Sequence, residues 1–271
     1  METKLDAVRM IASDMDHTLL DEHGDLPPDF HHYLRRLSAA EVTFVAASGR
    51  PLNRLKQMFP PREGIGYVGD NGGTVSYGDT VLFQSLLAPE HYRAMAAVTL
   101  TSTPGVPVVS GPDTAYVSSR HREHEPYLGT FNPRIVFIDD FAGLDAAVDK
   151  FSVYLPTGES RRYCDEVFAP AYAGDFSVTV GGPLWVDMMN AGVHKGHGVR
   201  VLAAHLGLQR EQLMAFGDAA NDLEMLDEVH HSYAVSNAYE EVRQRARFLA
   251  GSNAEHGVLT VIRQVLAARE G

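Results

Sequence analysis

Three short polar segments of the sequence contain residue types that could do chemistry. Each directly follows an apolar run, and together they supply carboxylate, hydroxyl, amide and guanidinium groups. Two carboxylates at positions i and i+2 serve nucleophilic, acid–base or metal-binding chemistry when they converge on one point. The three segments, in chain order, are Asp14-Met-Asp-His-Thr18, Ser48-Gly-Arg50 and Gly217-Asp-Ala-Ala-Asn-Asp222.

Asp14 and Asp218 together offer hard oxygen ligands for a divalent cation. A site with few protein ligands and several waters suits Mg²⁺ better than Ca²⁺. A calcium loop beginning at Asp14 is excluded, because Leu19 stands where such a loop needs glycine and Asp25 where it needs glutamate. The residues therefore indicate a magnesium site.

The elements that must position these groups are apolar runs at 8–13, 42–47 and 213–216, which we predict as buried strands. Helical spacing of apolar residues predicts helices at 30–40, 51–59 and 197–206. Alternating strands and helices are typical of a parallel α/β sheet. The polar segments would then meet at the carboxyl edge of the sheet, where such folds bind ligands.

The middle of the chain has a different pattern. Short runs between 107 and 188 alternate apolar with polar residues, as in a sheet with one wet face, and helices are predicted at 90–100 and 160–172. We therefore predict an inserted α+β domain at 84–187, carried by a core made of 1–83 and 188–271. A capping-box pattern from Asn237 to Glu240 predicts a helix reaching about 249, and a last amphipathic helix begins near Val258.

Composition excludes several classes of protein. The 271 residues include 35 acidic and 23 basic side chains, a formal net charge of −12, so no basic surplus favours nucleic acid. The single cysteine, Cys164, excludes an internal disulfide and a cysteine-based zinc cage. Neither a signal-peptide core nor a membrane-spanning run is present, and we expect a cytoplasmic protein. The oligomeric state stays open.

The motifs in this order resemble those of the haloacid dehalogenase-like (HAD) phosphohydrolases. Asp14 to Thr18 matches the DxDxT signature, Ser48 the second motif, Lys195 the third, and the segment from Gly217 to Asp222 the fourth. The long insertion between Ser48 and Lys195 resembles the cap of the Cof-type subfamily. That subfamily is also indicated by four local strings: Asp70-Asn-Gly72, His194-Lys-Gly196, Asn221-Asp-Leu-Glu-Met225 and Ser236-Asn-Ala238. The resemblance implies a Rossmann-like core with a mobile cap.

The resemblance also implies a mechanism for phosphate-ester hydrolysis. Asp14 would attack phosphorus and form an aspartyl-phosphate, and Asp16 would act as general acid and then as general base. Mg²⁺ would be held by Asp14, the backbone carbonyl of Asp16 and Asp218. Asp222 would complete the metal site by orienting the water shell of the ion. Lys195 would supply a fixed positive charge for the transferring phosphoryl group.

Further positions would contact the substrate. Thr18 or Ser48 would donate a hydroxyl hydrogen bond to the phosphoryl oxygens, and Gly49 would let the backbone approach closely. Asn221 would touch the phosphate, orient the water shell or cap a helix. For Arg50, a phosphate contact and a salt bridge within the core are equally favoured. The sequence departs from the family pattern at His17, where glycine is frequent, and at Ser48, which replaces the more usual threonine but keeps the hydroxyl.

The expected substrate is a small phosphorylated metabolite, with sugar phosphates first and pyridoxal phosphate or flavin mononucleotide also plausible. Alternatives are a phosphosugar mutase or sucrose-phosphate-type phosphatase, and a sensor that binds the ester without turning it over. For Trp185, packing inside the cap is favoured over stacking on a substrate. We expect the segment His121 to Glu125 to be a solvated loop. For four cap arginines, a place on the solvated surface is favoured over a place in the cleft, where they would contact an anionic or hydroxyl-rich leaving group: Arg120, Arg122, Arg161 and Arg162.

Overall fold

The computed structural model describes residues 5–62 and 64–270 of the chain. These residues form two sheets flanked by helices. The strands are β1 (Met10–Ser13), β2 (Thr43–Ala47), β3 (Ile65–Gly69), β4 (Thr74–Tyr77), β5 (Thr80–Gln84), β6 (Val106–Ser110), β7 (Ala115–Ser118), β8 (Ile135–Ile138), β9 (Lys150–Tyr154), β10 (Phe176–Val180), β11 (Trp185–Asn190), β12 (Leu213–Gly217), β13 (His231–Val235) and β14 (Phe248–Ala250). The helices are α1 (Phe30–Ala39), α2 (Leu52–Met58), α3 (Pro89–Ser102), α4 (Glu125–Phe131), α5 (Ser160–Tyr163), α6 (Ala169–Tyr172), α7 (Lys195–Leu206), α8 (Leu223–Glu228), α9 (Glu240–Arg245) and α10 (Gly257–Glu270).

The first sheet is the core of the fold and has the strand order β14-β13-β12-β1-β2-β3-β4-β5. The strands from β14 to β3 are parallel, and the hairpin β4–β5 extends the sheet in antiparallel fashion. Every residue of β1, β2 and β12 is buried. Because successive strand residues point to opposite faces, both faces of this sheet are covered, as in α/β proteins generally. The predicted fold class is confirmed.

The second sheet has the order β10-β11-β9-β6-β7-β8 and is antiparallel except for the pair β7–β8. All of its strands come from the stretch between 106 and 190, between two halves of the core sheet. Two apolar clusters separate from the main core pack around it. We propose the domain division given above, 1–83 with 188–271 as core and 84–187 as cap, and note that β11 runs on to Asn190.

Two sequence predictions need correction. The helix expected from Asn237 to about 249 is short, because α9 ends at Arg245 and β14 follows. The Asn237 side chain does not cap it: its Nδ2 donates to the backbone oxygen of His17, and its Oδ1 accepts from the backbone NH of Asn253. Tertiary hydrogen bonds therefore use the side chain that the capping pattern assigned to the helix.

Candidate active site

The first and third polar segments meet at the centre of the core sheet. The chain moves from β1 to β2 and β3 on one side and later returns to β12 on the other, so the boundary of β1 and β12 is a topological switch point. Ligands of open α/β sheets bind outside the carboxyl ends of strands at such points. Ser13 lies opposite Phe216, and the backbone NH of Asp14 donates to the Phe216 oxygen. This register brings Asp14 beside Asp218.

Lys195 bridges two carboxylates at this point. Its Nζ donates to Oδ1 of Asp14 at 2.5 Å and to Oδ1 of Asp222 at 2.7 Å, although Lys195 lies 181 positions after Asp14 and 27 positions before Asp222. Lys195 is fully buried. Burial by itself favours the neutral amine, but the two charges raise the pKa of Lys195 above its ordinary value. The ammonium is therefore a fixed charge.

The position of Lys195 depends on a turn packed against the start of α7. Gly72 has φ of +100°, and a Cβ at that position would collide with the backbone oxygen of His194. Gly196, one residue after Lys195, leaves no room for a Cβ either, because the backbone oxygen of Glu224 would lie 2.5 Å away. Glycine at both positions lets the turn, α7 and α8 approach closely and directs Lys195 into the site.

Asp14, Asp218 and Asp222 each offer one oxygen atom within 4.8 Å of the others. Burial, followed by the neighbouring charges of Asp222 and Asp218, raises the pKa of Asp14 well above its usual range, although Lys195 opposes the shift. Burial and then the charge of Asp222 raise the pKa of Asp218 to about 7. Three buried carboxylates facing one ammonium leave a negative excess, which a divalent cation with a preference for oxygen donors would offset. These residues fit Mg²⁺.

The oxygens of Asp222 are largely occupied by the protein itself. Oδ1 accepts from Lys195, and Oδ2 accepts from the backbone NH groups of Asp218 and Ala219 at 3.0 and 3.1 Å. Asp218 accepts the Thr18 hydroxyl at 2.8 Å on Oδ1. The Thr18 hydroxyl is thus directed at a carboxylate. Asp222 therefore holds the loop around Asp218 through these hydrogen bonds and also lies beside the position of the cation.

Asp16 forms a bidentate ion pair with Arg50. Arg50 Nε donates to Oδ2 of Asp16 at 2.8 Å and Nη2 donates to Oδ1 at 2.5 Å. The Asp16 carboxylate raises the pKa of Arg50 despite burial of the guanidinium. Of the two alternatives for Arg50, the salt bridge is the one present in this structure.

Ser48, Gly49 and Asn221 also reach the cleft. Ser48 Oγ accepts the backbone NH of Arg50, which leaves the hydroxyl proton available to a ligand. Asn221 Nδ2 donates to Oδ1 of Asn71 at 3.1 Å and does not cap a helix. The structure therefore brings the predicted site residues to one region, with Thr18, Lys195 and Asp222 behind the carboxylates that line the cleft.

The cleft has a volume of about 520 Å³ and is closed on the far side by residues of the second sheet and of α4. Sequence reasoning missed most of these residues, since no motif marks them. Two features of the sequence pointed to this region: Trp185, and the string Asp70-Asn-Gly72, whose Asn71 donates to Asp187. The cap residues that line the cleft are Val108, Ser110, Phe131, Asn132, Lys150, Ser152, Gly181, Gly182, Pro183, Trp185 and Asp187.

A buried polar cluster joins the two sheets beside the cleft. Asn71 Nδ2 and Ser152 Oγ each donate to Asp187 at 2.6 Å, and Asn71 also accepts from Asn221. Lys150 Nζ donates to the backbone oxygen of Gly49 and lies 3.6 Å from Asp187 Oδ2. The chain of hydrogen bonds therefore runs from the fourth motif to cap strand β11.

We expect Asp149→Asn to stabilise the protein at neutral and alkaline pH. Burial raises the pKa of Asp149 from 3.8 to about 6, so the folded protein binds this proton more tightly than the unfolded chain does. Its contribution to stability is lost as pH rises from about 4 to about 6. Urea unfolding at pH 8 should show a gain of about 1–3 kcal/mol that shrinks as pH falls toward 4. The exposed Asp175→Asn is the control, and an equal effect of Asp149→Asn at both pH values would contradict the expectation.

Other polar features of the cap stay outside the cleft. Arg161 pairs with Glu241 at 2.7 Å, Arg162 pairs with Glu159, and the Arg122 guanidinium lies over the Phe137 ring. His121, Glu123 and His124 each offer a ligand atom within 4.8 Å of the others, but they lie on a partly exposed turn away from the cleft. Within the described residues, no helix is long and apolar enough to cross a membrane.

Comparison with known proteins agrees with this geometry. A family model of haloacid dehalogenase-like hydrolases matches residues 11–262. The 5-amino-6-(5-phospho-D-ribitylamino)uracil phosphatase YbjI of Escherichia coli is 30% identical over 264 residues, covering 96% of this chain and 97% of that protein.

Solved structures give the same result. The crystal structure of SMU.1108c from Streptococcus mutans matches with a TM-score of 0.90 at 29% identity, covering 96% of this chain and 99% of that one. The sugar phosphatase BT4131, described as a HAD subclass IIB enzyme, shares the fold with a TM-score of 0.77 at 22% identity, covering 95% of this chain and 98% of its own. The chain therefore belongs to the haloacid dehalogenase-like hydrolases, and it is a phosphatase of that superfamily.

Proposed function

We propose that this phosphatase is a Mg²⁺-dependent phosphomonoesterase that acts on small phosphorylated metabolites through an aspartyl-phosphate on Asp14. The observation that carries the proposal is the buried pairing of Lys195 with Asp14, beside Asp218 and at the end of the cleft. A buried carboxylate next to a fixed cation and a cation site can approach an anionic ester without prohibitive repulsion.

In the first half-reaction, an Asp14 carboxylate oxygen attacks phosphorus and the bond from phosphorus to the ester oxygen breaks. Asp16 gives a proton to the departing oxygen, so the leaving group departs as an alcohol. In the second half-reaction, water attacks phosphorus, Asp16 takes the proton of that water, and inorganic phosphate is released. Asp14 is thereby regenerated, so one difficult displacement is divided into two easier ones.

Arg50 must move during this cycle. In the present structure it occupies both carboxylate oxygens of Asp16, so Asp16 can give a proton only after the guanidinium has moved away. An incoming phosphoryl group offers Arg50 another pair of oxygens, to which a guanidinium binds in the same bidentate manner. Transfer of the Arg50 guanidinium from Asp16 to the ester would free the Asp16 carboxyl group when substrate binds. Arg50 would then make the salt bridge in the free enzyme and the phosphate contact in the complex.

The metal would be held by Asp14, the backbone carbonyl of Asp16 and Asp218, with Asp222 fixing the Asp218 loop and facing the water shell. When bound, Mg²⁺ supplies positive charge to the phosphoryl oxygens and the attacking carboxylate. The hydroxyl of Ser48 and the amide of Asn221 would contact the phosphoryl group or ordered water. Thr18 would act chiefly by orienting Asp218, because its hydroxyl is already committed there.

The relatives bear on the class of leaving group. The relative from Escherichia coli is named for a phosphorylated ribityl chain attached to a uracil, and BT4131 is described as a sugar phosphatase. A cleft closed on one side by the second sheet admits an ester of that size and leaves little room for a phosphoprotein. We therefore place sugar and sugar-alcohol phosphates first among substrates.

Removal of divalent metal is expected to stop phosphate release from ribitol 5-phosphate. Dialysis against a chelator should lower turnover by at least about a hundredfold, because the carboxylates would then face an anionic ester unscreened. Added Mg²⁺ should restore it, and released inorganic phosphate is the measurement.

Three outcomes would contradict parts of the proposal. Full activity of the chelated protein would show that the reaction does not need a divalent metal. Return of the phosphate to another hydroxyl of the sugar would identify a mutase. Binding of the ester with Mg²⁺ but without any phosphate release would identify a sensor.

A further inference from the structure

Trp185 and Phe131 form an aromatic corner in the wall of the cleft. Their ring centroids are 5.6 Å apart and the ring planes meet at 76°, so the two rings stand at nearly a right angle. Both residues are half-buried and both line the cleft. Trp185 is the single tryptophan of the chain. Trp185 therefore packs inside the cap and also lines the cleft, so both alternatives named for it are open in this structure.

The corner is rigidly supported from behind. The Tyr127 ring is stacked on Tyr154 at 4.8 Å and lies nearly parallel to Trp185 at 6.3 Å. Tyr154 also packs against Trp185 at 5.2 Å, and neither tyrosine lines the cleft. A ring held by other rings loses little rotamer freedom when a ligand binds, which makes it a preorganised surface for a flat group.

The corner lies beside the ion pair of Arg50 and Asp16. The Arg50 guanidinium is 5.6 Å from the Phe131 ring centroid while it pairs with Asp16. Phe131 thus neighbours both the Arg50–Asp16 ion pair and the second ring of the corner. Asp14, Phe131 and Trp185 all line the same cleft, so a leaving group bound there can contact both rings.

The cationic side chains that line the cleft are already paired and are not free to bind such a leaving group. Among the described residues lining the cleft, the cationic side chains are Arg50 and Lys150. Arg50 pairs with Asp16, and Lys150 is occupied by Gly49 and Asp187. The cleft also carries an excess of carboxylates, so ring contacts are better suited than ion pairs to hold the distal part of the ester.

We propose that the aromatic corner of Trp185 and Phe131 binds a planar heteroaromatic ring carried by the leaving group. The substrate class is thereby narrowed to sugar or sugar-alcohol phosphates that bear such a ring. This inference rests on the proposed phosphomonoesterase function. Trp185 is the specificity-determining residue, because Tyr127 and Tyr154 both pack against its ring, whereas Tyr127 packs against Phe131.

The test compares two esters that differ only by the ring: flavin mononucleotide and ribitol 5-phosphate. The wild type should show a ratio of kcat/KM for the ring-bearing ester over the ring-free ester of at least about ten, the range that ring stacking supplies. Trp185→Leu should lower that ratio about tenfold, and Trp185→Phe should keep most of it. Phe137→Leu is the matched control, since Phe137 packs in the same apolar cluster but does not line the cleft.

The outcomes separate the inference from the proposed function. A wild type that hydrolyses ribitol 5-phosphate without favouring the flavin ester, or a Trp185→Leu variant that loses activity on both equally, would overturn the inference alone. If the wild type preferred glucose 6-phosphate to flavin mononucleotide, the corner would be assigned to the face of a sugar. That result would also overturn the inference. A wild type that releases phosphate from none of the three would overturn the proposed function itself.

Discussion

Asp14→Asn is expected to lower kcat for phosphate release by at least about a thousandfold while the protein stays folded. Asparagine keeps the size of the side chain but cannot attack phosphorus as a carboxylate oxygen can. The fold should tolerate the change, because burial already raises the pKa of Asp14 and an amide carries no charge to desolvate. Single-turnover assays with ribitol 5-phosphate and far-UV circular dichroism measure the two effects.

Asp149→Asn is the matched control for this experiment. Asp149 is buried and its pKa is also raised, but it does not line the cleft. We expect the turnover of the Asp149→Asn variant to match that of the wild type. If the Asp14→Asn variant kept the wild-type kcat, Asp14 would not be the nucleophile.

Lys195→Met is expected to have the largest effect on stability. Lys195 is fully buried and is the ammonium shared by Asp14 and Asp222, so its removal leaves two buried carboxylates without their cation. Breaking a buried ion pair from one side costs about 3–5 kcal/mol. Urea unfolding should show that loss, and turnover should fall with it because the charge facing the phosphoryl group is gone.

Two further variants test the cause. Lys56→Met removes a half-buried lysine whose partner Asp79, at 3.4 Å, is exposed, and should change stability by less than about 1 kcal/mol. Adding Asp222→Asn to Lys195→Met removes one of the stranded charges and should recover part of the lost stability, but none of the activity. A double variant no more stable than Lys195→Met would show that lost packing, and not stranded charge, accounts for the effect.

Some features of the site were predictable because they depend on local sequence. Asp14 and Asp218 follow buried strands that a short apolar run identifies, and parallel strands present their carboxyl ends at one edge. The predicted strands at 42–47 and 213–216 agree with β2 and β12 to within a residue. The hairpin β4–β5 and strand β13 were not predicted. Strand β13 contains His231 and Ser232, which interrupt the apolar pattern although both are buried.

The α/β class, the order of the motifs and the carboxylates at the sheet edge could be predicted from the residues, since strand periodicity and strand ends are local properties. The pairing of Arg50 with Asp16, the bridge of Lys195 between Asp14 and Asp222, and the place of Trp185 in the cleft are visible only in the folded protein. These pairings depend on sheet register and on close glycine contacts between elements distant along the chain. No local pattern predicts these contacts, because each one joins two residues that are distant along the chain.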